Sequence, residues 1–226
     1  MPKTLISKAI KSLPANAPKT QKKLLEELGN YIHSEDAVLF DADLFYEMAS
    51  SHWQLAKSRE QGSPKIRIYC PVTKSDKLRK TVIDVVSDDM AFLVDSVVAE
   101  INKNNLPIDL LIHPIFYAKY DDKDKLIDVS ETKKEGYISQ SHIHIHIKET
   151  VSDDILSNLE DGLYTAMDDV FYANRDWQAM LGKLKDARDE LANAKTKSSA
   201  KEIKSYCEFL EYLHNNNFTL LGFREY

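Results

Sequence analysis

Val82-Ile-Asp-Val-Val-Ser-Asp-Asp-Met-Ala-Phe-Leu-Val-Asp-Ser-Val-Val98 reads as an apolar β-branched strand, an acidic turn at Ser87-Asp88-Asp89 and an amphipathic helix that starts near Met90. The turn sets carboxylates beside a helix N-terminus, where unpaired backbone N–H groups and the helix dipole favour negative charge. The expectation is therefore a helix cap. A strand that runs through a short polar turn into a helix is also where small α+β domains hold small ligands. Ser87, Asp88, Asp89, Met90 and Ala91 are accordingly the candidate effector-binding residues. Backbone amides of the turn would take a carboxylate, and Asp88 or Asp89 would meet an ammonium group.

Moving outward, the segment before the turn changes texture at Pro64. Residues 1–62 carry helical spacing in Leu24, Leu25, Leu28 and Ile32, and again in Leu44, Phe45, Met48, His52 and Leu55, with Asp41 or Asp43 as a cap. His52 reads as a helix-packing histidine. After Gln61-Gly62-Ser63-Pro64 come two strands, Lys65 to Tyr69 and Thr81 to Val86, with a polar link from Thr73 to Arg79. Beyond the turn, Leu93, Val94, Val97, Val98 and Ile101 give the helix its apolar face. Pro107 opens a long strand from Ile108 to Tyr120, in which Pro114 marks an edge or a bulge because it cannot donate to a ladder. Asp121 to Gly136 reads as a charged loop and His142 to Ile147 as another strand. Ile155, Leu159, Leu163, Met167 and Phe171 then step by four along a helix, widened by Leu156 and Val170.

This β-α-β-β-α order fits a ferredoxin-like α+β sandwich, one antiparallel sheet with two helices, flanked by N- and C-terminal helical segments. The boundaries read as 1–62 for the N-terminal helical segment, 63–177 for the α+β domain and 178–226 for a helical connector. Within the connector, Trp177 to Leu191 and Lys201 to Leu213 are helical and Ala192 to Ala200 is a linker. Phe218 to Tyr226 is a strand pattern, which reads as leading into a further domain.

Composition removes several function classes. A net charge of −6 argues against a broad nucleic-acid surface. No window approaches a membrane span, and the N-terminus lacks the apolar run of a signal peptide. Cys70 and Cys207 have no metal or redox spacing, read as small buried or half-buried hydrophobes, and fit a reducing cytoplasm. The six glycines are never closer than 20 residues. A dinucleotide fingerprint or phosphate loop needs two or three close together, so no cofactor-binding residues are expected in this segment.

Two constellations invite chemistry. His142, His144 and His146 share one strand face, with Ile143, Ile145 and Ile147 on the other. Successive same-face positions lie about 7 Å apart, too far for three imidazoles to reach one ion. The expectation is a solvent-facing or helix-covered sheet face, with no metal. Asp88 and Asp89 form a carboxylate pair, yet no nucleophile or base lies near them in sequence, so no catalytic residue is assigned.

The same turn also carries a resemblance. Asp88-Asp89-Met90-Ala91-Phe92-Leu93-Val94-Asp95-Ser96-Val97 resembles the DDMPFLVDSV signature in the N-terminal region of the large bacterial NAD-specific glutamate dehydrogenases. Ser51-His52-Trp53 and the approach to Lys65-Ile-Arg-Ile-Tyr69 are similar to that family's first strand. Ile112-His113-Pro114 is similar to its HP strand, Ser139 with His142-Ile143 to its ESxxHI strand, and Trp177-Gln-Ala-Met180 to its W-x-x-M helix. Phe209-Leu-Glu-Tyr-Leu213 with Asn217 to Tyr226 resembles its FLxWL…NFTFLGYREY. The matches run in order from about residue 50 to the end. Ala91 replaces the family's proline, which removes a residue with preset φ at the helix start, and Ile138 replaces its glutamate. The resemblance implies an ACT-type βαββαβ domain, which in other enzymes senses amino acids at paired-domain interfaces. It implies that this segment is non-catalytic, regulatory or concerned with assembly, with NAD and the catalytic portions downstream. The implied partners are the rest of the same polypeptide, further copies in a homo-oligomer and an amino-acid effector. A purely structural oligomerisation module is the competing expectation.

Overall fold

The period-two alternation of the β-branched runs folds into one six-stranded antiparallel sheet: β1 (Lys65–Tyr69), β2 (Thr81–Asp88), β3 (Ile108–Ile112), β4 (Ile115–Tyr120), β5 (Leu126–Ser130) and β6 (Ile138–Ile147). The computed structural model describes residues 2–71, 80–148, 150–220, 222 and 224. β6 lies at the centre, with β2 along one edge and β4 then β3 along the other; β1 closes the β2 side and β5 the β4 side. The single strand expected from Ile108 to Tyr120 is two, because Pro114 interrupts the ladder. The Pro114 carbonyl still accepts from the His142 N–H at 2.9 Å, so β3 and β4 stay in line along β6.

The charged loop expected from Asp121 to Gly136 is corrected: it contains β5. Leu126 and Val129 are buried there, and the flanking acidic and basic residues masked so short a strand. The β4–β5 turn is tied by Asp121, whose Oδ1 accepts from the Lys123 and Lys125 N–H groups, both at 2.9 Å. The link at Thr73 to Arg79 lies outside the described residues, and so in part does the strand pattern at Phe218 to Tyr226.

Helices cover both faces. On one, α1 (Pro2–Ser12), α2 (Lys19–Asn30) and α3 (Ala42–Ala56) share a core with Val86, Leu110, Ile112, Phe116, Ala118, Leu126 and Val129. Asp41 caps α3 by accepting from Leu44 N–H at 2.8 Å. On the other face Ile83, Val85, Ile143, Ile145 and Ile147 are buried, as are Leu93, Val97 and Ile101 of α4 (Leu93–Lys103) and Leu159, Leu163 and Met167 of α5 (Asp153–Arg175). Gly162 lets α5 approach α4, since a Cβ there would sit 2.2 Å from Glu100 Oε1. Ile155, expected on the α5 stripe, is exposed, and Cys70, expected at least half-buried, is exposed just past β1.

The chain divides into two compact units, Met1–Asp168 and Asp169–Tyr226. Residues 1–62 thus lie in one unit with the sheet. In the second unit α6 (Trp177–Asn193) and α7 (Ala200–Tyr212) pack together, with an ion pair from Arg188 to Glu211. A capping box starts α7: Ser199 Oγ accepts from Glu202 N–H at 3.3 Å and Glu202 Oε2 from Ser199 N–H at 2.7 Å. Among the described residues no helix is long and apolar enough to cross a membrane.

Gly29 near the end of α2 marks the tightest contact between the N-terminal helices. A Cβ there would meet Ile6 Cγ1 at 2.4 Å and the Phe45 ring at 3.0 Å. Gly29→Ala should lower stability in urea unfolding by about 1–3 kcal/mol, even though alanine is the better helix former.

Candidate functional site

Alternation along β2 and β6 sends one set of side chains under α3: Asp84 and Val86 from β2, Gln140, His142, His144 and His146 from β6. Register sets Asp84 opposite His144 and Val86 opposite His142. From α3, one helix turn past its centre, His52 comes down onto the same spot. All four histidines here, with Asp84 and Gln140, are buried to 1% exposure or less. The histidine face is therefore helix-covered, and it is polar throughout, which sets the problem that the side chains must solve together. A buried polar group without a partner is costly, and a buried charge more so.

The solution is a chain of hydrogen bonds that starts at Arg59, itself 1% exposed. A guanidinium only donates. The Gln140 carbonyl therefore turns toward Arg59 Nη2 and Nε, 3.2 and 3.3 Å away, and toward the Tyr120 hydroxyl at 2.7 Å. That leaves the Gln140 amide to donate to His142 Nε2 at 2.8 Å. His142 then carries its proton on Nδ1 and donates to His52 Nδ1 at 3.2 Å, which leaves the His52 proton on Nε2, 3.3 Å from Asp84 Oδ1 but not hydrogen-bonded to it. From the other side His146 donates to His144 across 2.8 Å, and His144 Nδ1–H donates to Asp84 Oδ1 at 2.5 Å. From both sides the protons are turned toward Asp84.

Electrostatics agree with this direction. Burial alone would raise the Asp84 carboxyl, but His52 and His144 beside it hold it well below the usual carboxylate range. Burial, with His52 next, keeps the His142 imidazole well below its ordinary range, and burial with His144 pushes His146 down to about 3. Burial and then the Asp84 charge raise the Tyr69 hydroxyl. The aromatic rings of Phe40, against His144 and His146, and Phe116, stacked 4.3 Å from His142, keep the cluster dry.

Asp88 and Asp89 are adjacent in sequence but on opposite faces. Asp88, in phase with Asp84, turns toward α3: Oδ1 pairs with Arg59, and Oδ2 accepts from Gly62 N–H at 2.8 Å. It belongs to the buried network. Asp89 turns the other way and accepts from Ser139 Oγ at 3.1 Å, while its N–H donates to the Ser139 carbonyl at 3.0 Å. His113 Nε2 meets Ser141 Oγ at 2.7 Å on the same face; burial lowers its imidazole against the opposing pull of Asp89.

The helix cap expected from Asp88 and Asp89 is thus corrected. The Asp89 pairing to Ser139 keeps the chain extended past β2. Phe92, in the left-handed region at φ 69°, then turns it, and α4 begins at Leu93, not near Met90. Of the five candidate effector residues, Ser87 is buried on the sheet, Met90 is half-buried and Ala91 is exposed in the turn. The structure brings His52 together with the histidine strand, a meeting that sequence spacing had no way to show. Asp84, Arg59, Gln140 and Tyr120 escaped the sequence reading altogether. A lone aspartate inside a β-branched run was the available signal for Asp84. Arg59, in a polar loop, gave none.

His52, Asp84 and His144 present ligand atoms within 4.8 Å of one another, the single such cluster of metal-ligating side chains among the described residues. His52, Asp84, His142, His144 and His146 are each 1% exposed or less, so the group lies in the interface where α3 meets the sheet. Residues 24–163 match the family described as glutamate dehydrogenase, ACT1 domain, and the chain belongs to that family. It is similar to an NAD-specific glutamate dehydrogenase of Pseudomonas aeruginosa, 28% identical over 180 residues, which cover 78% of this chain and 11% of the relative. Those of Halomonas elongata (26% identical, 81% of this chain, 12% of the relative) and Mycobacterium tuberculosis (24%, 78% and 11%) are similar too. The chain spans 11–12% of the length of the curated relatives it matches.

The two neighbouring aspartates should behave differently. Asp88→Ala strands the Arg59 charge in the interior and should cost about 3–5 kcal/mol in urea unfolding, whereas Asp89→Ala should cost about 1 kcal/mol or less. Acid should also weaken the fold. An unfolded imidazole titrates near 6.5 and His146 near 3 in the fold, so between these values the unfolded chain binds a proton that the native chain does not. Stability is then complete above pH 6.5 and falls as pH drops, by about 1.4 kcal/mol per pH unit for each such histidine. With chelator present, unfolding at pH 7 and pH 5 should show this loss, and His146→Gln should reduce it. A flat profile would contradict the neutral, buried assignment.

Proposed function

We propose that this chain is a non-catalytic regulatory or assembly segment of an NAD-dependent glutamate dehydrogenase. The whole enzyme would convert L-glutamate, NAD and water to 2-oxoglutarate, ammonia and NADH. The observation that carries this reading is the family match over residues 24–163, which spans the sheet from α2 into α5. The relatives' names supply the reaction, and the small share of their length that this chain covers supports placing NAD and catalysis elsewhere in a longer polypeptide. Two unpaired cysteines fit a reducing cytoplasm.

The amino-acid effector is proposed to sit at the turn Ser87 to Ala91, on the α4 side of the sheet. Asp89, not Asp88, would meet its ammonium group, because both Asp88 oxygens are already engaged by Arg59 and Gly62. The positive end of the α4 dipole would favour its carboxylate. Pure assembly is the second reading. Its support is the edge strand β1, which has a single strand partner among the described residues, so its outer edge would be available to pair subunits in a homo-oligomer; the edge of β5 is already met by Lys57 and Ser58.

Titration calorimetry of the chain with the common amino acids tests the sensing reading. One of them should release heat, and Asp89→Ala should weaken it about tenfold or more. If none binds, sensing fails. Sedimentation then decides on assembly, which requires a dimer or larger species without any ligand; a monomer at all concentrations would count against it.

A further inference from the structure

We propose that His52, Asp84 and His144 form a closed site for one first-row divalent metal ion of the zinc class, which fastens α3 to β2 and β6. Two imidazole nitrogens and a carboxylate are a donor set that zinc and its neighbours favour. The separations suit it. Tetrahedral ligands about 2.0 Å from an ion lie about 3.3 Å apart, and His52 Nε2 stands 3.3 Å from Asp84 Oδ1. His144 Nδ1, hydrogen-bonded to the same oxygen at 2.5 Å, has to draw back by under about 1 Å.

A second feature is a pair of buried ligand atoms that form no hydrogen bond: Asp84 Oδ2, and His52 Nε2, which stands 3.3 Å from Asp84 Oδ1 without bonding to it. Asp84 is fully buried, and a carboxylate there normally uses both oxygens. An ion would take Oδ2 or share the carboxylate between both oxygens, and it would take the His52 nitrogen in the same step. The outer layer is also in place. A metal-bound imidazole donates its remaining N–H to a neighbour that holds the ring. Here His52 Nδ1 meets His142 Nδ1 at 3.2 Å, and His144 Nε2 meets His146 Nε2 at 2.8 Å. Each of the two candidate imidazole ligands thus has a further imidazole ready to accept.

Binding would reverse the hydrogen-bond direction between Asp84 and Gln140. His52 would donate to His142 through Nδ1, and His142 Nε2–H would donate to the Gln140 carbonyl at 2.8 Å, a contact that fits the opposite orientation of that amide. Gln140 would turn its carbonyl away from Arg59, so the ion and the Arg59–Asp88 pair would be coupled. The ligands lie beneath α3 with 0–2% side-chain exposure, which leaves no place for a substrate water, so the site is structural.

The test uses the full chain, purified without a polyhistidine tag, incubated with Zn2+ and then desalted. Metal analysis should find about one equivalent retained, and removing it with chelator should lower the melting temperature by about 5 °C or more. Asp84→Asn, close in shape, should lose the ion, while His33→Gln, at an exposed histidine, should keep it. X-ray absorption of the zinc-loaded wild type needs no variant and should show a nitrogen and oxygen shell that includes two imidazoles. Three results overturn the proposal: no retained metal, full retention in folded Asp84→Asn, or a shell lacking imidazole.

Discussion

The arrangement depends on keeping one carboxylate ionised where there is no water. Asp84 stands in the middle of β2, beneath α3, with His52 above it and His144 beside it. An isolated carboxylate in such a place would cost several kcal/mol. The surrounding side chains reduce that cost by aiming donors at it from two directions, and they can do so only while α3 holds its position on the sheet. A helix shifted by one turn would leave the aspartate without His52 and His142 without its acceptor. An apolar interface of the same volume would tolerate such a slip more easily. The polar interface therefore specifies the seating of α3, whatever it contributes to net stability.

The same network explains why two adjacent aspartates have different fates. Strand alternation sends Asp88 toward Arg59 and the histidines, and Asp89 toward Ser139 and the start of α4. The first is tied to the interior through Arg59; the second, half-buried on the α4 side, is the carboxylate that the proposed effector would meet. Because Arg59 touches both Asp88 and Gln140, the end of β2 is connected to the seat of α3 through three side chains. A ligand at the turn would act on the strand that carries this connection.

Much of the fold was legible in the sequence because it rests on local periodicity. The strand–turn–helix of Val82 to Val98, the helical stripes of α2, α3 and α5, and the interruption at Pro114 all have signatures within a window of a few residues. β5 did not, since Leu126 and Val129 are too few apolar positions among charges. The site was legible only in pieces. The shared face of His142, His144 and His146 follows from the two-residue period, but their partners come from β2 and α3, brought in by tertiary packing. Arg59 illustrates the limit: its burial is set by the strand end and the loop that fold over it. The six ordered resemblances, by contrast, pointed to the family to which the chain belongs.

The seating of α3 rests on the direction in which protons are turned, from Arg59 through Gln140, His142 and His52 toward Asp84. Long-range proton–nitrogen spectra of the histidine rings in chelator-treated protein near neutral pH read it most directly, because they report which ring nitrogen holds the proton. His142 should be neutral and fixed in the Nδ1–H form, and His52 should carry its proton on Nε2. A His142 protonated on Nε2, or one exchanging between forms as a solvated imidazole does, would contradict it.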